Sequence, residues 1–307
     1  MINVGVIGVG SIGMHHARIF SGLDNVHLVG IVDADPERAE DISSKYGCKV
    51  FSSYHDIMDS VDAVSIAVPT TLHYRIGMDF LACNKDVLIE KPVTTSIEEA
   101  DILISEAEKR DRILQVGHLE RFNAGVAMMS TMVDNPKFIE SQRLSPFLGR
   151  GVDVDVTLDL MIHDIDIILS LVKSGIADLR ATGAKVLTEN IDVAHAWIEF
   201  ENGCIAEAVS SRIAKGKKRR LKVFQHNTYL DLDYQTQEIT CYLKTDGTVG
   251  KEIKKPAEKE PLKEQLISFI QCVTSRTRPV VSGKEGKEAL QIALEVSKLV
   301  KDRELFA

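Results

Sequence analysis

The sequence is poor in the features that would tie it to disulfide chemistry, a membrane or nucleic acid. Its 307 residues hold five cysteines, Cys48, Cys83, Cys204, Cys241 and Cys272. They are odd in number and widely spaced, with no CxxC pair, which makes them reduced core thiols rather than a disulfide framework or metal ligands. No metal is expected. No apolar run reaches the roughly 18–20 residues that span a bilayer. Met1-Ile2-Asn3-Val4-Gly5-Val6-Ile7 enters an apolar strand at once, without the basic leader of a secretory signal. The expectation is a cytoplasmic protein with no membrane partner. Positive charge is also in deficit. A formal net charge of -8 argues against nucleic acid or an anionic membrane surface as partner, while leaving room for an anionic small molecule in a local basic pocket. Repeats and low-complexity segments are absent. An apolar content of 44% with 27% charged residues is that of an ordinary globular protein, and the length suggests two domains.

The first third is patterned. Asn3 to Val9 reads as a strand, followed by Gly8-Val9-Gly10-Ser11-Ile12-Gly13 and a helix from Met14 to Ser21. A second strand, Val26 to Val32, ends in Asp33, twenty residues beyond Gly13. A GxGxxG with a strand before it, a helix after it and an acid at that distance fits a dinucleotide site. Gly8 permits the tight turn, Gly10 lets backbone approach a pyrophosphate, and Gly13 lets helix and strand pack closely. Ser11 and Ile12 open the helix, whose N-terminal N–H groups favour an anion. Asp33 would accept hydrogen bonds from both ribose hydroxyls and repel a 2′-phosphate, so NAD is expected. Strands and helices alternate through Ile113 to Val116, including a helix from Ser96 to Arg110 with Ser96 as its cap. This describes a parallel, doubly wound sheet over residues 1–118.

Ligands in such sheets lie at the carboxyl ends of the strands. Two segments should meet the cofactor there: Val68-Pro69, and Glu90-Lys91-Pro92 after the buried run Val87-Leu88-Ile89. His73 either lines the same cleft or stands as a solvated loop histidine. After Gly117 the alternation stops. Successive strands from Phe138 to Asp233 imply an α+β domain with an open, mostly antiparallel sheet over residues 119–307, and a final helix able to pack back on the first domain. Thr245 to Pro261 reads as a hairpin tip and solvated loop. Within this half, Leu158 to Val172 is apolar almost all round, yet Asp159, His163, Asp166 and Ser170 fall within about 60° of helical arc. Such a stripe on a buried helix must face a partner or a cleft. A carboxylate one turn from an imidazole can orient it as a general base; a satisfied core pair is the bland alternative. Arg121, Asn123, Arg143 and Arg150 could receive hydroxyl or diphosphate oxygens, or form surface ion pairs. The Lys215-Gly216-Lys217-Lys218-Arg219-Arg220 run reads first as a solvated lead-in to a strand, with a phosphate clamp as its lesser use.

Taken together, the glycine loop, Glu90-Lys91-Pro92, Gly117-His118-Leu119-Glu120-Arg121-Phe122-Asn123 and Asp159-Leu160-Met161-Ile162-His163-Asp164-Ile165-Asp166 resemble the glucose–fructose oxidoreductase, inositol dehydrogenase and rhizopine catabolism family (Gfo/Idh/MocA). The resemblance implies an N-terminal Rossmann domain, a C-terminal α/β domain often used for homodimers or homotetramers, and reversible hydride transfer between NAD(P) and a sugar or cyclitol. It implies that Lys91 contacts the reacting hydroxyl, Asp159 positions substrate or base, and His163 takes the proton. The sequence departs from the family where Asp155-Val156-Thr157 replaces paired glycines and where Ala124 replaces a proline. The stretch from Arg143 to Asp166 resembles a narrower group, which oxidises the 3-hydroxyl of UDP-N-acetylglucosamine so that an aminotransferase can make a 3-amino sugar for lipid A. Oxidation of an inositol or sugar phosphate, or a non-catalytic NAD-binding regulatory subunit, are the alternative expectations.

Overall fold

The structure, a computed structural model, describes residues 1–149 and 154–304. Contacts divide the chain into two compact units. One comprises Met1–Leu119 with Glu260–Lys287, the other Glu120–Lys259 with Glu288–Ala307. The second domain expected over residues 119–307 allowed only a final helix to pack back on the first. The correction lies with residues 260–287, whose apolar helical face completes the core of the first unit.

In that unit β1 (Ile2–Ile7), β2 (Val26–Val32), β3 (Lys49–Val50), β4 (Ala63–Ile66), β5 (Asp86–Glu90) and β6 (Leu114–Gly117) form one sheet in the order β3-β2-β1-β4-β5-β6. Every pairing in it is parallel. Strand order reverses between β1 and β4, the switch point at which such sheets bind ligands. Helices α1 (Gly13–Ser21), α2 (Pro36–Tyr46), α3 (Tyr54–Ile57), α4 (His73–Ala82) and α5 (Ile97–Lys109) make the crossovers. Their ends obey local chemistry. Asp35 caps α2 through the Arg38 N–H and Gly47 closes it at φ 67°, while Ser96 accepts from the Glu99 N–H at the start of α5.

The second unit begins with α6 (Ala124–Ser130) and β7 (Phe138–Leu144). A π-helical turn over Thr157–Met161 leads into α7 (Ile162–Val172). Strands β8 (Ile176–Ala184), β9 (Val193–Phe200), β10 (Ile205–Ser211), β11 (Lys218–Gln225), β12 (Thr228–Asp233), β13 (Glu238–Thr245) and β14 (Thr248–Lys254) follow. They assemble with β7 as β14-β13-β12-β11-β7-β10-β9-β8. Within this sheet, among the described residues, only β7 and β10 pair in parallel. Burial alternates along the central strands, so one face packs beneath α7 and the other carries Phe138, Trp197, Phe224, Tyr229 and Tyr242 in a row of ring contacts. The expected hairpin tip after Thr245 is present: Asp246 and Gly247, at φ 48° and 79°, make a tight turn that returns the chain as β14, and the part expected as loop is strand as far as Lys254.

The chain ends in α8 (Pro261–Ser275), which belongs to the first unit, and α9 (Gly283–Glu304). Leu266, Phe269 and Ile270 of α8 join Val4, Val6, Ile19 and Phe20 in one buried cluster. No helix among the described residues is long and apolar enough to cross a membrane.

Candidate active site

Gly8 and Gly13 have the local geometry that their spacing foretold. Gly8 turns the chain at φ 85°, where an L side chain would be strained. A Cβ on Gly13 would lie 1.8 Å from the Gly8 carbonyl oxygen, so glycine alone lets α1 start against the end of β1. At Gly10 the space beyond the backbone is open, the nearest atom being Arg38 Nη1 at 3.9 Å. The opening is a cavity of about 750 Å³ at the switch point. Its walls include Gly8, Gly10, Ser11, Ile12, Asp33, Arg38, Val68, Pro69, Leu72, Glu90 and Lys91. That volume is within the range of cofactor clefts, and Gly10, Ser11 and Ile12, which lead into α1, line it. The residues present therefore fit a dinucleotide.

Asp33 is more occupied than expected. Its Oδ2 accepts from the Val9 N–H at 2.7 Å, its Oδ1 from the Asp35 N–H at 2.9 Å, and Arg38 Nη1 lies 3.3 Å from Oδ1. A carboxylate has about four acceptor positions. The two-hydroxyl grip thus needs Arg38 to yield, and Asp33 also holds the glycine loop against β2. His73 is a second correction. It is buried, with Nδ1 2.8 Å from the Pro92 carbonyl and Nε2 2.9 Å from the Val68 carbonyl. It does not reach the cleft wall; it braces the two turns that do. Burial lowers its pKa, although two carbonyl acceptors and Glu90 favour the charged ring.

Glu90 closes β5 inside the sheet, and Lys91 follows on the cavity wall. The carboxylate of Glu90 lies 3.4 Å from His16 Nε2 and accepts from Gln265 Nε2 at 3.4 Å. His16 in turn meets the Ser65 hydroxyl at 2.6 Å. A Cβ on Gly117 would fall 2.4 Å from a Glu90 oxygen, so β6 carries glycine where the carboxylate sits. Burial raises the Glu90 pKa, but the His16 hydrogen bond and charge, with Lys91, outweigh it and hold the group below the usual carboxylate range. An ionised carboxylate is thereby kept next to Lys91. His16, Ser65 and Gln265 were missed in the sequence. Their only signal was polar residues at positions where α1, β4 and α8 are otherwise apolar.

In the second unit the polar stripe divides. Asp159, in the π-helical turn, and His163, at the start of α7, are half-buried. Asp166 is buried, with its carboxylate 3.4 Å from Arg121 Nη1, and Ser170 bonds back to the Ile167 carbonyl. Arg121 is therefore engaged within the fold. Asn123, expected to contact substrate, is instead the cap of α6. Its Oδ1 accepts from the Gly125 and Val126 N–H groups and its Nδ2 donates to the Tyr234 carbonyl and Glu120. Arg143 is also internal: 2% exposed, it grips Asp164 at 2.8 and 3.1 Å and Glu120 at 2.9 Å, over the Tyr234 ring. Arg150 lies outside the described residues. The departure at Asp155-Val156-Thr157 has a structural use. Asp155 accepts from Lys301 at 2.6 Å and Thr157 bonds Ser297, tying the π-helical turn to α9. Such turns interrupt helices disproportionately at functional positions.

Comparison with known proteins identifies the family of both units. A family model described as an oxidoreductase family with an NAD-binding Rossmann fold matches residues 2–118, and a GFO/IDH/MocA C-terminal domain model matches residues 126–229. A UDP-N-acetylglucosamine 3-dehydrogenase of Acidithiobacillus ferrooxidans is 32% identical over 96% of both chains. Its solved structure covers 98% of both chains at a TM-score of 0.94. A myo-inositol 2-dehydrogenase of Thermotoga maritima is 26% identical over 98% of this chain and 97% of its own. A levoglucosan dehydrogenase solved with NADH and levoglucosan shares the fold at a TM-score of 0.87 and 17% identity over 97% of both chains. Matched along both units, and carrying an open cleft at the switch point of its parallel sheet, this chain belongs to the Gfo/Idh/MocA family of NAD-dependent oxidoreductases.

Proposed function

We propose that the protein oxidises the 3-hydroxyl of a UDP-N-acetylhexosamine to the 3-keto sugar. The observation that carries this reading is the 32% identity, over nearly the whole of both chains, to a UDP-N-acetylglucosamine 3-dehydrogenase. NAD, when bound, supplies the hydride acceptor. Its holders in this chain are the backbone of Gly8 to Gly13, Asp33, and the wall formed by Val68, Pro69, Glu90 and Lys91.

The chain's own groups manage the proton and the developing charge. Lys91 donates to the hydroxyl oxygen as alkoxide character builds, and acts most strongly at the transition state. His163 accepts the hydroxyl proton, a contribution of about 10²–10⁴-fold for a placed general base. Asp159 orients the imidazole or the substrate. Glu90, held ionised by His16, fixes the turn that presents Lys91. The aromatic row on the outer face of the second unit's sheet supports a homodimer or homotetramer, which light scattering would measure. The keto product suits an aminotransferase that installs an amine at the same carbon, and we place the protein in the cytoplasm.

The second reading, an inositol dehydrogenase, is favoured by the 26% identity to myo-inositol 2-dehydrogenase. Incubation with NAD and a panel of UDP-sugars, inositols and sugar phosphates, followed by NADH absorbance, decides between them. Lys91→Ala and His163→Ala should each abolish turnover and leave NAD affinity nearly unchanged. Full activity in either variant refutes the assigned role. NAD binding without turnover of any substrate points to a regulatory subunit.

A further inference from the structure

The basic run that leads into and opens β11 has a placement that its sequence reading undervalued. In the register of β11 with β7, Arg219 stands directly opposite Arg143. Both lie on the face beneath α7, shared with Leu221, Val223 and Ile139, all fully buried. Like charges directly opposite on a sheet are destabilising, so the pair calls for a reason.

Arg143 has one, being saturated by Asp164 and Glu120. Arg219 does not. About a third of its side chain is exposed, and its ion-pair partner, Glu120 Oε1 at 3.7 Å, already takes Arg143 Nη1 at 2.9 Å. A guanidinium offers five donors. Among the described residues, neither Arg219 nor Lys217 makes a side-chain hydrogen bond. Lys217, two residues earlier and just ahead of β11, is exposed. Burial, then Arg143, holds the Arg219 pKa down against the pull of Glu120, Asp164 and Asp159. Lys217 is lowered in turn, chiefly by Arg219 and also by Arg143. Asp159 is thus an electrostatic neighbour, and its turn packs on β10, the strand on the other side of β7. A bare counter-ion role for Arg219 towards Glu120 would leave Lys217 unexplained and the donors of both unused.

We propose that Lys217 and Arg219 form an anion-receiving edge beside Asp159 that takes phosphoryl oxygens of the sugar substrate. This deepens the reading of a phosphorylated substrate and rests on it. Arg219 would supply the forked contact that suits a phosphate, and Lys217 a mobile point charge at the rim. The diphosphate of a nucleotide sugar and the monophosphate of a sugar phosphate share this chemistry, and the test separates them.

The test uses the full chain with saturating NAD. KM and kcat are measured for UDP-N-acetylglucosamine and for a hexose phosphate in the wild type, Lys217→Gln, Arg219→Gln, Arg219→Lys and the double Gln variant. The expected result is a KM raised about tenfold or more by each Gln substitution, from the loss of a charge-assisted contact, with kcat much less changed and partial rescue in Arg219→Lys. The substrate showing this dependence identifies the source of the phosphoryl group. UDP should inhibit the wild type competitively and the variants more weakly by the same factor. An unchanged KM and unchanged UDP inhibition in Lys217→Gln and Arg219→Gln, with NAD affinity and Tm preserved, overturns the inference. Should Arg219→Gln not fold, Lys217→Gln alone decides. If the wild type oxidises no phosphorylated sugar, the functional reading fails separately. Calorimetry with UDP and with inorganic pyrophosphate then judges the edge: binding lost in the variants sustains it, and no binding by the wild type refutes it.

Discussion

Substituting Asp164 by alanine should destabilise the second unit without touching the cofactor cleft. The Asp164 and Arg143 side chains are 1% and 2% exposed, and two hydrogen bonds of 2.8 and 3.1 Å join them. Removing one member of a buried pair leaves the other charge uncompensated, at a cost of about 3–5 kcal/mol. Glu120 still accepts from Arg143 at 2.9 Å, which puts the loss at the lower end, about 3 kcal/mol. For a unit of this size that lowers Tm by roughly 6–12 °C. Differential scanning calorimetry is the assay, with the two units treated as separate transitions wherever they resolve. NAD affinity should be unchanged, because every residue of the cleft wall belongs to the first unit. Pairing Asp164→Leu with Arg143→Met should cost less than the sum of the single changes, since the second substitution removes the stranded charge. A loss below about 1 kcal/mol for Asp164→Ala would refute the buried-pair reasoning.

Gly13→Ala places a methyl group 1.8 Å from the Gly8 carbonyl oxygen. It should separate α1 from β1, weakening NAD binding in a fluorescence titration and lowering Tm together; unaltered NAD affinity would contradict the packing argument. Asp192 predicts an acid limit. Despite burial, which raises its pKa, the Thr188 hydroxyl and the N–H groups of Val186, Leu187 and Thr188 hold it at about 2. Its folded value is depressed, so its stabilisation is complete above about pH 4 and is lost as pH falls towards the folded value. Denaturant unfolding should show this loss in the wild type and a shallower acid limb in Asp192→Asn; identical limbs would contradict it.

The parallel sheet, its switch point and the glycine loop could be read in the sequence because each depends on short-range pattern: apolar runs, caps and glycines at fixed offsets. The residues misjudged were those whose partners lie far along the chain. Arg143 is written as a free arginine and becomes internal only because β7 passes beneath Asp164. Asn123 fits a helix cap as well as a ligand contact, and the Tyr234 carbonyl, 111 residues away, completes its bonding. His73 shares the buried face of α4 with Ile76, Phe80 and Leu81, a helical spacing visible in sequence, and its two carbonyl partners come from turns that only the fold brings to it. β14 was hidden because it is exposed almost throughout, leaving no buried face to impose alternation. The π-helical turn at Thr157–Met161 left the apolar run unbroken. Only the ties of Asp155 and Thr157 to α9 reveal where the helix changes pitch.

The return of α8 to the first unit has a consequence for the order in which the protein can be made. Leu266, Phe269 and Ile270 cover Val4, Ile19 and Phe20, yet they are translated roughly 140 residues after Leu119. At 5–20 residues per second the nascent cofactor unit waits on the order of 10 s with that apolar surface bare. It must be shielded by the ribosome or a chaperone, or remain loosely formed. A fragment cut after Leu119 keeps the whole glycine loop and still lacks part of the core beneath it. Such a fragment should aggregate, whereas one that rejoins 260–287 through a short linker should fold and bind NAD.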